Sequence, residues 1–314
     1  TDRLRFIGAI TKQSSGYNYG SSRRSSYALF GKNIEVLNAG LMAVFANDHY
    51  GDITIGSEEA TADTLIRGSI VNNYASGIGI DIHGGRIAIV DTSATTRLPM
   101  DNSRYNTTTD YNGESQGLVN GEVPHDAIVI GVADTAGSHA VIGDEGSAVT
   151  IEGRVLLKRG EANTGTGLEI KGSTIAIYDA DASIYGTEAA AGKLSGNERL
   201  RKNENVVVNA ATDLLIGTDS TREVEIYGGV IGWEGNPGNQ RTIIRGSQVL
   251  IDAASGKTAL EAQPGAALSV GLERGSGGAA ATTTTLINGE VWAHGWNRRS
   301  GEVAENTRIE LKGT

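Results

Sequence analysis

The stretch Val149-Thr150-Ile151-Glu152-Gly153, followed by Arg154-Val155-Leu156-Leu157, shows the pattern that decides the fold. Apolar residues alternate with polar ones, a glycine follows, and a second alternating pair comes after it. In a strand, this alternation turns the apolar side chains to one face. Glycine breaks the strand where the backbone must turn, because it tolerates positive φ and close approach. The stretch therefore predicts two short strands joined at a glycine corner.

The same phrase recurs along the chain. Close copies end at Gly84, Gly153, Gly172, Gly228 and Gly313, and looser copies with a leading threonine end at Gly68, Gly246 and Gly289. The shorter separations between these glycines cluster near about 20 residues, which is typical of one coil of a solenoid. Strand, corner and strand with no helical stretch between them predict a right-handed parallel β-helix of roughly 12 coils, each burying its apolar residues on its neighbours.

An antiparallel sandwich or propeller is the alternative, because these folds also use many short strands at regular spacing. Their hairpins need pairs such as Asn-Gly between the strands. Asn112-Gly113 and Asn120-Gly121 lie in a polar insert, and Asn288-Gly289 stands at a repeat corner. The pattern therefore favours the β-helix. We expect an all-β chain, one β-helical segment over 1–314, with polar inserts at 92–122 and 186–204.

Composition narrows the class of protein further. The chain has 44 Gly, 4 Pro and 5% aromatic residues, which suits narrow coils with small corners. The absence of cysteine removes disulfides, thiol nucleophiles and thiolate metal sites. A net charge of −10 without a basic stripe argues against a nucleic-acid partner. No apolar run reaches the length of about 18 residues that a spanning helix needs, so we expect this segment not to be membrane-embedded.

These features together resemble the secreted passenger segment of a bacterial autotransporter. They are the degenerate glycine-punctuated coils, the acidic charge, the lack of cysteine, and the Thr-, Ala- and Gly-rich stretches at 253–258 and 279–285. The resemblance implies an extracellular or outer-membrane-tethered β-helix, exported by a C-terminal β-barrel that lies outside this sequence. It also implies a processed piece of a longer protein. Passengers of this family are mostly adhesins, self-associating factors, proteases or cytotoxins.

Catalytic patterns are weak in this sequence. A passenger serine protease would need a Gly-Asp-Ser-Gly turn, but the segment 143–147 has glutamate at the nucleophile position. Asp179 and Asp181 have the residue types of a pectinase-like carboxylate groove, so a polysaccharide hydrolase or lyase is an alternative function. The segment 76–81 resembles one Ca²⁺-binding repeat, but it occurs once and His83 stands where that repeat has an apolar residue. The sequence predicts no catalytic residue, no cofactor and no metal site.

The insert at 92–122 is the leading candidate for binding. Apolar alternation stops there, and the insert carries Arg97, Arg104, Tyr105 and Tyr111 among threonine, asparagine and glycine. Long loops in a compact fold are usually functional or disordered. Tyrosine flanked by small polar residues is also typical of adaptable binding loops. We therefore expect these four residues to contact a partner, with a protrusion of no function as the alternative.

Outward positions of the repeat offer a second surface. The central residues of the strands before the glycines include Asp81, Thr150, Glu169 and Glu225, and on a β-helix such residues stack into ladders. Mixed charges favour ion pairs within a ladder, worth about 0–1 kcal/mol each, and a long polar ladder also offers weak contacts to a second rod. With the family resemblance, these residues predict a non-catalytic adhesin that binds a host or bacterial surface protein or glycan. Self-association of rods, giving aggregation and biofilm formation, is the alternative.

Overall fold

The computed structural model describes residues 3–8, 10–13, 27–47, 52–72, 77–90, 96–97, 108–109, 115–116, 122–123, 126–130, 138–157, 167–178, 206–210, 213–232, 241–253, 257–272, 283–294 and 307–312. Throughout these ranges the regular structure is β-strand, which confirms the predicted all-β class. In the part of the chain so described, we find no helix with the length and apolar character needed to cross a bilayer.

The strands form three faces of parallel strands, and the chain visits the faces in turn. This arrangement is a parallel β-helix, as the glycine-punctuated repeat predicts. Nine coils can be followed in the described residues, and each contributes one strand segment to each face. The sequence predicts roughly 12 coils, because it takes each coil to be about 20 residues long.

The first face consists of β1 (Leu4–Ile7), the first part of β4 (Asn33–Asn47), the first part of β6 (Asp63–Asn72), β8 (Arg86–Val90), β15 (Ala148–Glu152), β18 (Thr174–Tyr178), β21 (Glu223–Tyr227), β24 (Gln248–Asp252) and β27 (Thr284–Asn288). The second face consists of β2 (Ile10–Gln13), the later parts of β4 and β6, β13 (Asp126–Ile130), β16 (Arg154–Leu157), β19 (Val206–Ala210), β22 (Gly229–Gly232), β25 (Thr258–Ala262) and β28 (Glu290–Ala293).

The third face consists of β3 (Tyr27–Leu29), β5 (Ile53–Ile55), β7 (Gly77–Ile82), β14 (Ser138–Ile142), β17 (Gly167–Ile170), β20 (Asp213–Ile216), β23 (Arg241–Ile244), β26 (Ala267–Val270) and β29 (Arg308–Leu311). Four short strands lie off the three faces: β9 (Thr96–Arg97), β10 (Thr108–Thr109), β11 (Ser115–Gln116) and β12 (Glu122–Val123).

The core is built of aliphatic side chains that stack in register from coil to coil. Ile89, Ile151 and Ile177 are direct neighbours on β8, β15 and β18, and each is 0% exposed. Burying one such side chain stabilises the fold by about 1.5–3 kcal/mol. β-Branched residues suit these positions, because their restricted χ1 matches an extended backbone packed on both neighbours. The predicted inward positions of the close repeat copies are confirmed from Ile80 to Ile251, whereas Leu311 in the last copy is 54% exposed.

The repeat glycines mark two different corners of each coil. Gly68, Gly153, Gly228 and Gly289 join the first face to the second, with φ between 124° and 142°. Gly84, Gly172 and Gly246 join the third face to the first. The spacing of about 20 residues therefore measures two strands instead of a whole three-strand coil. The expected coil length is wrong for this reason, and the lower number of coils follows from it.

The two predicted inserts fall at the same corner of the β-helix. The segment 91–125 connects β8 to β13, from the first face to the second, in the fourth coil. The segment 179–205 makes the same connection between β18 and β19 in the sixth coil. Both inserts are therefore attached between strands that meet along one edge of the first face.

Candidate functional site

A shallow groove of about 480 Å³ lies on the outer side of the first face. Its floor is a column of direct neighbours on four successive coils, namely Glu35, Leu65, Ala88 and Thr150. The side chains of this column point outward, because each lies between two residues that point into the core. Ala88 and Thr150 are shorter than Arg86 and Glu35, which line the groove with them, and this difference leaves the depression.

Charged side chains border the groove. Arg86 donates hydrogen bonds from Nε and from Nη2 to the two carboxylate oxygens of Asp63, both at 2.6 Å. At the far end, Glu35 accepts from Arg3 at 2.7 Å and lies 3.0 Å from Arg5. The hydrogen bond from Arg86 to Asp63 raises the pKa of the guanidinium. The groove therefore has apolar contacts at Leu65 and Ala88 between charged side chains of both signs.

The root of the first insert lies beside this groove. Strand β8 carries Ala88 in the floor and ends two residues later at Val90, where the insert begins. Within the insert, Thr96 and Arg97 pair antiparallel with Val123 and Glu122. Arg97 is also the direct neighbour of Leu41, in the middle of β4. The insert thus returns to the edge of the rod, over the corner between the first and second faces.

The structure places one of the four predicted binding residues. Arg97 lies at the base of the insert on β9, where its backbone is described. Arg104, Tyr105 and Tyr111 lie outside the described residues, and so do Asp179 and Asp181 of the enzyme alternative. The insert as the main contact surface therefore stays a prediction.

The four predicted ladder residues are divided between two faces. Asp81 and Glu169 lie on the third face, in one column with Val141 between them. Thr150 and Glu225 lie on the first face, in one column with Ala176 between them. The repeated phrase ends at both kinds of corner, so equivalent positions in the phrase belong to different faces. A single ladder of the four is not formed.

A cluster of ionisable groups lies at the corner between the third and first faces. The imidazole of His83 is between two carboxylates, with Nε2 3.2 Å from Asp81 Oδ2 and Nδ1 2.9 Å from Asp144 Oδ1. Glu58, on the exposed turn of the preceding coil, brings a carboxylate oxygen to within 4.8 Å of the His83 and Asp144 ligand atoms. The remaining oxygens, Asp81 Oδ1 and Asp144 Oδ2, are buried and have no hydrogen-bond partner among the described residues.

Burial and charge shift the titration of these groups in different directions. Burial raises the pKa of the Asp81 carboxyl, and the neighbouring His83 opposes this effect. Burial alone would lower the pKa of His83, but the hydrogen bond to Asp144 and the charge of Asp81 outweigh it, so this pKa is raised. Burial lowers the pKa of His139 on the next coil, where Glu169 is 3.6 Å away. The pKa values of the two histidines are therefore shifted in opposite directions.

Ser147, three residues after Asp144 in the same turn, is 1% exposed. Its hydroxyl donates to the Gly84 carbonyl at 2.5 Å and accepts from the Asp144 amide at 2.9 Å. In its sequence, the segment 143–147 can be compared with the nucleophile turn of a serine protease. In the structure this segment is a turn in which the Ser147 hydroxyl closes the loop and links two coils.

The cluster around His83 is a feature that sequence reasoning missed. In the sequence, His83 directly precedes the repeat glycine Gly84, and Asp144 directly follows Gly143. The two residues are 61 positions apart along the chain. Most of that separation is the insert 91–125, whose length hides the fact that the two turns belong to adjacent coils. The two turns could be matched from the sequence only if the glycine repeat were known to mark two different corners of each coil.

No protein-family model, no curated protein and no solved structure matches this chain. What the groove and the cluster can do therefore has to come from their own geometry.

Proposed function

We propose that this chain is a non-catalytic binding rod of the cell surface, an adhesin that contacts a protein or glycan through the first face and the insert 92–122. The observation that carries the proposal is the position of the insert root beside the groove on the first face. A partner that lies in the groove would meet the insert without any change in the rod. The resemblance to autotransporter passengers supports an extracellular location.

The chemistry of the groove suits a neutral or mixed-charge partner. Arg86 and Asp63 offer donors and acceptors at the rim, and Leu65 and Ala88 offer apolar contact in the floor. Recognition sites commonly combine an apolar floor with a few placed polar groups. Sugar rings and extended peptide segments both present this mixture of apolar surface and hydroxyl or amide groups. Affinity would come from several modest contacts along the rod, with the insert adding adaptable ones.

Two changes test the proposal on the displayed protein. The first deletes 92–122, and the second fills the groove with Ala88→Tyr. Ala176→Tyr is the matched control, because Ala176 lies in the same outward column two strands further along, beyond the groove lining. The variants are displayed on cells that do not otherwise clump, and adhesion to host proteins and glycans is measured. Far-UV circular dichroism of each purified chain checks that the β-content is unchanged.

We expect the deletion to abolish adhesion and Ala88→Tyr to weaken it at least tenfold, while Ala176→Tyr adheres like the parent. Undiminished adhesion of both the deletion and Ala88→Tyr would contradict the proposal.

Self-association of rods is the second candidate function. The outward columns of the first and third faces each carry carboxylates at intervals, which supports this function. On β21, Tyr227 is 43% exposed and donates a hydrogen bond to Glu225 two residues before it. Settling of the same cells separates the two functions. Settling without adhesion would favour contacts between rods, and it should then be weakened by Tyr227→Ala and kept in the 92–122 deletion.

A further inference from the structure

The corner between the third and first faces alternates between two kinds of turn. After the first short turn, which begins with Phe30, the short turns begin with a basic residue, namely His83, Lys171, Arg245 and Lys312. Longer turns begin with a glycine of positive φ, namely Gly56, Gly143, Gly217 and Gly271. In each coil pair, a Cβ added to the long-turn glycine would meet the backbone carbonyl of the basic residue in the following coil. The two kinds of turn therefore pack directly on each other.

This packing brings acidic residues of the longer turns close to basic residues of the short ones. Arg245 Nη1, for example, lies 3.3 Å from Asp219 Oδ1 in an ordinary exposed ion pair. At the end of the third coil, an imidazole occupies the position that Lys171, Arg245 and Lys312 occupy in later short turns. His83 has an acidic turn on both sides along the rod, with Glu58 on the preceding coil and Asp144 on the following one.

The donor atoms at His83 converge as they do around a metal ion. One imidazole nitrogen of His83, one oxygen of Asp144 and one oxygen of Glu58 lie within 4.8 Å of one another. Asp81 Oδ2 lies 3.2 Å from His83 Nε2, on the other side of the ring. The second oxygen of Asp144 is buried without a hydrogen-bond partner in the described part of the chain. A buried carboxylate oxygen left unpaired is costly, and a cation would satisfy it.

We propose that Glu58, His83 and Asp144 bind a divalent transition-metal ion of the Zn²⁺ type. Asp81 is the positioning residue: it accepts a hydrogen bond from the Nε2–H group of His83, so that Nδ1, on the Asp144 side, keeps its lone pair for the metal. Imidazole with carboxylates favours Zn²⁺ and its neighbours in the first transition row, whereas Ca²⁺ and Mg²⁺ prefer oxygen ligands alone. A tetrahedral Zn²⁺ holds its ligand atoms about 3.3–3.5 Å apart. Binding would therefore open the 2.9 Å contact between His83 Nδ1 and Asp144 Oδ1 and draw in the exposed Glu58 side chain.

The site would tie together three successive turns of the rod. Glu58 precedes the third coil, His83 precedes the fourth and Asp144 precedes the fifth. The fourth coil carries the insert 91–125, the longest of the connections between consecutive strands of the faces. The chain has no cysteine, so a disulfide cannot hold these coils in place. A metal ion here would stabilise the coils on both sides of the insert.

Calorimetric titration of the full, chelator-treated chain with ZnCl₂ tests the proposal, with MgCl₂ and CaCl₂ as comparison ions. We expect one Zn²⁺ per chain, no comparable binding of the other two ions, and a higher thermal midpoint with Zn²⁺. His83→Gln and Asp144→Asn should each weaken Zn²⁺ binding at least tenfold. Asp81→Asn should weaken it by about 10–100-fold, the usual effect of losing a carboxylate that orients a ligating histidine.

A matched pair of glutamates gives the sharpest control. Glu58→Gln should weaken Zn²⁺ binding, whereas Glu59→Gln, next to it on the same turn, should bind like the parent, because Glu59 pairs with Lys32 at 3.4 Å. Both residues are exposed, so neither change should prevent folding. Failure of the parent to bind Zn²⁺, or equal binding by the Glu58 and Glu59 variants, would overturn the proposal.

Discussion

The substitution Gly143→Ala tests how tightly successive coils pack at their corners. Gly143 has φ +84°, and an alanine there would occupy the left-handed region at a cost of about 1–2 kcal/mol. Its Cβ would also meet the carbonyl oxygen of Lys171 on the next coil and lie 2.9 Å from Val149 Cγ2. Overpacking of this kind adds about 1–3 kcal/mol. We therefore expect Gly143→Ala to reduce the free energy of unfolding by about 2–5 kcal/mol.

Gly146→Ala is the matched control in the same turn. Gly146 is exposed, and an added Cβ finds no described atom within 4 Å. Its substitution should change the free energy of unfolding by no more than about 0.5 kcal/mol. Urea unfolding followed by far-UV circular dichroism gives both values, and hydrogen exchange of the Lys171 region shows whether the loss begins at this corner. Losses within about 0.5 kcal/mol of each other would refute the packing described for this corner.

Further predictions concern the core and the two histidines. Ile151→Ala should reduce the free energy of unfolding by about 2–5 kcal/mol, because the Ile151 side chain is 0% exposed. Thr150→Ala, on the outer side of the same strand, should reduce it by less than about 0.5 kcal/mol. Urea unfolding measures both values. In the chelator-treated chain the pKa of His83 is raised on folding, so its stabilisation is complete below about pH 6.5 and is lost as the pH rises above that value. The pKa of His139 is lowered, so stability is lost as the pH falls below about 6.5. The free energy of unfolding is measured from pH 5 to 8. His83→Gln should reduce the loss of stability as the pH rises, and His139→Gln should reduce the loss as the pH falls. The opposite result for the two variants would contradict the environments described for these histidines.

Much of the fold follows from the sequence. Alternation such as Val149/Ile151 identifies the buried positions, and these side chains are buried in the structure. Corner glycines such as Gly153 identify the turns, since φ +127° favours glycine. The length of a coil cannot be predicted from the sequence, because the corner between the second and third faces carries no repeated glycine motif. Connections of different length, such as 131–137 and 158–166, stand there instead.

The candidate sites follow from the sequence only in part. The insert 92–122 is visible as a loss of alternation, but the groove beside it depends on register: Leu65, Ala88 and Thr150 become neighbours only when the coils are stacked. His83 and Asp144 likewise meet across a 61-residue separation. Such contacts depend on which turns lie on adjacent coils, and variable inserts remove that information from the spacing.

The stacking of β8 on β15 is the most direct test of the account, because it sets both the floor of the groove and the coils that flank the insert. The chain has no cysteine, so two cysteines can be introduced without competing native thiols. Ala88 and Thr150 are direct neighbours, and adjacent strands lie about 4.8 Å apart, within the range that a disulfide spans.

Ala88 and Ala176 lie two strands apart, at about 9.6 Å, which is too far. Mass spectrometry after oxidation should show an intramolecular disulfide in Ala88→Cys/Thr150→Cys and none in Ala88→Cys/Ala176→Cys. Failure of the first pair to close, or closure of the second pair as readily as the first, would contradict the stacked parallel coils.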